Sequence, residues 1–85
     1  MNGVYGYTVP ASVINLFASV RSRERDELVR IFNTLADNPF MKGDRIQNDE
    51  SGRPLQVKRF RRWEVTFWPD HGAREVRIVE ISKLV

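Results

Sequence analysis

Arg53-Pro-Leu-Gln-Val-Lys-Arg-Phe-Arg-Arg-Trp-Glu-Val-Thr-Phe-Trp68 carries both the charge and the strand pattern of this chain. Five cations (Arg53, Lys58, Arg59, Arg61 and Arg62) fall within ten residues with no acid among them. Leu55 and Val57, then Trp63, Val65 and Phe67, place apolar groups at alternate positions on either side of Arg61-Arg62. That alternation predicts two half-buried strands joined by a tight basic turn. All five apolar positions are odd-numbered, and residues facing each other across an antiparallel pair share a face. A three-residue turn, Arg61 to Trp63, satisfies this by opposing Val57 to Phe67 and Arg59 to Val65. A two-residue turn would set Val57 beside Thr66 and split the core face, so the three-residue turn is the expectation.

The same register gathers Gln56, Lys58, Phe60, Glu64, Thr66 and Trp68 on the opposite face. Cations that hold a backbone, beside aromatic faces that stack on bases at about 1–3 kcal/mol each, are the mixture that binds single-stranded nucleic acid. The alternative is that Phe60 and Trp68 belong to the core and the arginines form a solvated turn that blunts aggregation.

The chain of 85 residues predicts one domain, residues 1–85, with a small core in which aromatics do much of the packing. An apolar content of 41% and a charged content of 29% suit a folded chain rather than a disordered one. With no cysteine, disulfides and thiol catalysis are excluded. Met1 to Pro10 lacks the basic start and apolar middle of a signal peptide, and no apolar run approaches a membrane span; a cytoplasmic location with no membrane partner is expected. Charge is unevenly shared. Residues 1–52 hold six Lys/Arg against seven Asp/Glu, and residues 53–85 hold eight against four. A balance of −1 followed by +4 directs any anionic partner to the C-terminal half.

Around this centre the remaining elements read as α+β. Val4 to Val9 alternates as a short strand, which Pro10 ends while opening a helix. Val13, Leu16, Phe17 and Val20 share one helix face, widened by Ile14. Ser22, followed by Glu24 and Asp26, is expected to cap a second helix with Leu28, Ile31, Phe32, Leu35 and Ala36 buried. Asn38-Pro39 stops it, and the two helices should fold back as a hairpin against a sheet. Asp37 to Arg53 reads as a long polar connection, with Phe40, Met41 and Ile46 expected to tuck under the sheet edge. After a turn at Pro69 to Ala73, a last strand spans about Glu75 to Ser82. Its apolar residues lie on both faces, which suits a central strand or one with a bulge near Val79.

Chemistry is constrained by what is missing. His71 is the only histidine, so neither a zinc site nor a Ser/His/Asp constellation has its parts, and no cofactor or metal is expected. His71 between Asp70 and Gly72 suits a turn, with a general acid as the alternative. Metal-free phosphodiester cleavage would need a base, cations around the transition state and a donor for the leaving oxygen. Lys58, crowded by Arg59, Arg61 and Arg62, is the candidate base, the alternative being a lysine that only contacts phosphate.

The order strand, two helices, three antiparallel strands, with Leu35-Ala-Asp-Asn-Pro39 closing the second helix, resembles the RelE/ParE superfamily of bacterial toxins. Leu55-Gln-Val-Lys-Arg-Phe60 and Trp63-Glu-Val-Thr-Phe-Trp68 look like that family's basic strand pair. The resemblance implies a four-stranded sheet with the first strand beside the last and the helical hairpin on one face. It also implies a cognate antitoxin as partner, and either ribosome-bound mRNA or DNA gyrase as target. Carried over by position, Lys58 matches a strand lysine used as base or for phosphate, Gln56 stands where a second lysine often occurs, and Trp63 matches a tyrosine. Glu64 replaces a transition-state arginine, which makes it an alternative base. Lys83 lies beside the position of a late arginine.

Three readings follow. A ribosome-dependent mRNA endonuclease would use Lys58, Glu64 and Arg61 as catalytic groups. Its RNA would lie along Arg53, Gln56, Lys58, Arg59, Phe60, Arg61, Arg62, Trp68, Arg77 and Lys83. A non-catalytic member would inhibit gyrase or act only by protein binding. A small nucleic-acid-binding module unrelated to toxins would bind RNA by itself, with affinity falling steeply with salt.

Overall fold

The computed structural model describes residues 4–84, which form two helices packed on one face of a five-stranded mixed sheet. The elements are β1 (Gly6–Thr8), α1 (Ala11–Ser19), α2 (Ser22–Asp37), β2 (Arg45–Asn48), β3 (Pro54–Phe60), β4 (Trp63–Asp70) and β5 (Glu75–Lys83). Their order across the sheet is β1-β5-β4-β3-β2, with β1 parallel to β5 and every other pair antiparallel. No described helix is long and apolar enough to cross a membrane.

The helical expectations hold closely. Leu28, Ile31, Phe32, Leu35 and Ala36 are all buried along α2. Spaced three and four apart, they form one stripe facing the sheet. They meet Val13 of α1 and Trp63, Val65, Phe67, Val76 and Ile78 of the sheet in one core. The start of α2 differs by one residue: Arg21, not Ser22, precedes the helix, and its backbone N–H donates to Glu24 Oε1 at 3.4 Å. Glu24 thus satisfies a donor at the first turn, where an acid also suits the helix dipole.

Two strand expectations need correction. The connection from Asp37 to Arg53 contains β2, so the sheet has five strands rather than four. All four β2 residues are exposed, so no apolar alternation marks the strand. Phe40 and Ile46 stay outside, 75% and 63% exposed, and only Met41 of that trio packs against the core. The second correction concerns the hairpin. Phe60 faces Trp63, Lys58 faces Val65 and Val57 faces Thr66. The turn is therefore Arg61-Arg62, two residues, not three. Arg61 takes a positive φ of 57°, as the first residue of a tight hairpin turn requires.

That register splits the odd-numbered residues. Trp63, Val65 and Phe67 enter the core beneath the helices, whereas Leu55 and Val57 are buried on the other face, outside that core. Their cover is polar. Arg45 on β2, paired with Val57 on β3, reaches Glu64 on β4 with both terminal guanidinium nitrogens, at 3.0 and 3.2 Å. With β3 between those strands, the Arg45 side chain must cross above Val57. The last strand lies inside the strand order, as expected, but β1 covers it only over Glu75 to Arg77; it slips register between Thr66 and Phe67, leaving Val79 unmatched as the bulge.

Candidate nucleic-acid interface

Because β3 and β4 pair through a two-residue turn, the expected binding face divides. Directly paired residues share a face and neighbours alternate. Gln56, Lys58 and Phe60 thus point to the helix side, with Val65 and Trp63. Arg59, Glu64, Thr66 and Trp68 point to the open side, together with Arg77, which pairs with Trp68. Lys58 and Glu64 stand on opposite faces. The three residues expected to share catalysis are not brought together, since Arg61 sits in the turn at the sheet's end.

Lys58 lies on the helix side of β3 with its side chain 29% exposed. Its Nζ is 3.8 Å from Asp44 Oδ1 and 5.7 Å from the centre of the Phe60 ring. Asp44 also accepts the Arg59 N–H, at 2.9 Å. Gln56 accepts from the Gly43 N–H at 2.6 Å, so its amide serves the fold. Phe60 packs against the edge of the core rather than standing free.

On the open face, Glu64 is fully engaged. The Arg45 hydrogen bonds, helped by the charges of Arg45 and Arg59, hold its carboxyl below the ordinary glutamate value against the opposing effect of burial. A carboxylate so held is a poor proton acceptor near neutral pH. Arg45 and Asp44 were not anticipated as partners, and nothing in the local sequence marks them; the contacts arise only once β2 pairs with β3.

Trp68 is the centre of the open face. Arg53 lies over its ring with Cζ 3.9 Å from the centroid, and Arg77 approaches to 5.7 Å. Guanidinium groups stack on indole in this manner through cation–π attraction. Arg77 is held by Asp70 at 3.0 Å and Glu75 at 3.4 Å. Asp70 is pulled below its ordinary value by the Ala73 N–H first and by Arg77 second. Arg53, Arg59 and Arg61 have no carboxylate partner among the described residues. Of these, Arg53 and Arg59 stay with the Trp68 ring on the open side, while Arg61 sits in the turn at the sheet's end.

Arg62 and Lys83 form a separate group at the start of α2. Lys83 Nζ meets Glu24 Oε2, and Arg62 lies 3.9 Å from Glu24 and 3.5 Å from Glu27. Lys83 is the main cause of the lowered Glu24 pKa, with Arg21 and Arg62 assisting. Glu27 also accepts the buried Trp63 Nε1–H at 2.8 Å. These cations are committed to tying α2 onto the sheet.

His71 occupies the β4–β5 turn, as expected. Its Nδ1 is hydrogen-bonded to the Tyr5 hydroxyl at 2.6 Å, and the Phe40 ring stacks on it at 4.7 Å. The cluster joins three distant segments, which explains the exposed Phe40.

Among known proteins, no family model, curated protein or solved structure matches this chain.

Proposed function

We propose that the protein is the toxin-like component of a toxin–antitoxin module, of the RelE/ParE pattern. In this reading it acts by binding single-stranded nucleic acid on the open sheet face rather than by cutting it. The observation that carries the toxin-like reading is the arrangement of the sheet: the first strand lies beside the last, and both helices pack on one face. The extra strand β2 adds to an edge and leaves that order intact. Binding without cutting rests on the separation of Lys58 from Glu64 and on the hold of Arg45 over the Glu64 carboxylate. Trp68 with Arg53 and Arg59 then supplies a stacking surface and backbone contacts, with Arg61 at the turn beyond them.

Controlled expression in bacteria, with growth and message integrity followed together, tests this reading. Arrested growth with intact message, relieved by the product of an adjacent small acidic reading frame, is the expected result. Unimpaired growth contradicts the toxin reading. Arrest with message cut on the ribosome, abolished by Lys58→Ala, restores the endonuclease, and inhibited gyrase supercoiling without RNA binding transfers the target to protein.

A further inference from the structure

Among the described residues, β1 covers only the first part of the β5 edge. β1 pairs only with Glu75 to Arg77, and among the described residues no strand lies beside β5 from Val79 to Lys83 on the side away from β4. The direction of the backbone groups follows from two bonds. Arg74 turns its carbonyl outward to the Gly6 N–H at 3.0 Å, and Leu84 turns its N–H inward to the Arg62 carbonyl at 2.6 Å. Amide direction alternates along a strand. Ile81 and Lys83, three and one residues before Leu84, therefore point their N–H and C=O groups out from the sheet. An open row of this kind is a template for another strand.

The helix beside this edge carries no charge. α1 contains no acid or base, in a chain of which 29% is charged, and exposes Ala11, Ser12, Ile14, Asn15, Ala18 and Ser19. Between α1 and β5 runs a cleft of about 350 Å³ lined by Ser12, Val13, Leu16, Val79, Glu80 and Ile81. The net charge of +3 opposes self-association, and α1 adds nothing to that repulsion.

We infer that this edge is a self-association site, at which β5 of one chain pairs antiparallel with β5 of a second copy about a two-fold axis at Ile81. Two-fold symmetry and shared faces allow only registers centred on a residue. Centring on Glu80 would set two carboxylates against each other, and centring on Ser82 would set Ile81 against an ammonium. Centring on Ile81 pairs two apolar side chains and lets the two Ile81 residues exchange both N–H···O bonds. It also faces Glu80 with the partner's Ser82, and Val79, displaced at the bulge, with the partner's Lys83, whose ammonium is held by Glu24. The α1 helices then approach each other over the joined sheet. Two short strands and one helix pair give an interface at the small end, below about 1,200 Å² in total, so the dimer is a concentration-dependent equilibrium. This inference does not rest on the proposed function.

Sedimentation equilibrium of the unmodified chain over a dilution series, followed by thiol crosslinking, tests it. The chain has no cysteine, so Ile81→Cys and Ser82→Cys each introduce a single reporter. The expected results are a mass that rises from 10.0 kDa toward twice that value with concentration, and a covalent dimer from Ile81→Cys but not from Ser82→Cys. A mass that stays monomeric at every concentration overturns the inference without reference to any variant. A dimer that links through Ser82→Cys, or through neither, overturns the register and the site.

Discussion

Val57 stands directly across from Thr66, and so lies on the opposite face of the sheet from Val65. That one pairing gives the molecule two buried apolar sets. One lies under the helices and the other under Arg45, and Lys58 and Glu64 fall on different sides.

The turn that creates this register is strained at Arg61. A non-glycine residue at a φ of 57° costs on the order of 1 kcal/mol, which glycine does not incur. Arg61→Gly should raise the unfolding free energy by about 0.5–1 kcal/mol in urea denaturation. A loss of stability would show that the Arg61 side chain contributes more than the turn conformation costs.

Gly43 is required by a close approach. A Cβ there would lie 2.6 Å from the Val57 carbonyl oxygen, and backbone cannot yield as a flexible side chain does. Gly43→Ala should destabilise by about 1–3 kcal/mol and loosen β2, seen as faster amide exchange at Arg45 to Asn48. Unchanged exchange there would mean that the strand docks independently of this contact.

Glu24 and Glu64 bind their protons more weakly in the folded chain than the ordinary glutamate value of 4.5, chiefly because of Lys83 and Arg45 respectively. The unfolded chain therefore takes up protons first as pH falls. Their stabilisation is complete above about pH 4.5 and is lost as pH falls through the lower folded values. Glu24→Gln and Glu64→Gln should each flatten the acid limb of a plot of urea midpoint against pH. An acid limb as steep as wild type in both variants would remove these carboxylates as its cause.

Trp68 should dominate binding on the open face. Trp68→Ala is expected to weaken affinity for a single-stranded oligonucleotide by about 1–3 kcal/mol in a fluorescence anisotropy titration. Arg53→Ala and Arg59→Ala should each reduce the slope of log affinity against log salt by about 1. Lys58→Ala, on the other face, should change little. The opposite ranking, with Lys58 essential and Trp68 dispensable, would transfer the interface to the helix side.

The helices were legible because burial against a sheet leaves a stripe at three-and-four spacing, and Leu28 to Ala36 keep it without interruption. The bulge at Val79 was legible for a related reason: apolar side chains on both faces of one strand require a slip or a central position. The turn length was not legible. Arginine at a positive φ carries no compositional sign, unlike Asn-Gly, and alternation alone assumes that all buried residues share one core. Leu55 and Val57 break that assumption, because they are buried on the face away from the helices, where Arg45 reaches across β3 to Glu64. β2 carries no apolar alternation to mark it, since all four of its residues are exposed. Of the candidate site, Arg53, Arg59 and Trp68 all stood among the residues expected to contact RNA, but the three-residue turn set Arg59 on the core face and Trp68 on the other; the two-residue turn puts them on one face. Lys58 and Glu64 were misjoined by the same error of one residue.

The most direct measurement is the Hα–Hα contact across the β3–β4 hairpin, read from nuclear Overhauser spectra. Val57 turns its carbonyl to the Asp44 N–H of the β2 side, so Val57 and Thr66 form a non-hydrogen-bonded pair with Cα atoms about 4.5 Å apart. A strong cross-peak between the Hα protons of Val57 and Thr66, with a second between Arg59 and Glu64, is expected. Cross-peaks joining Val57 to Phe67 and Arg59 to Val65 instead would contradict the two-residue turn and return Lys58 and Glu64 to one face.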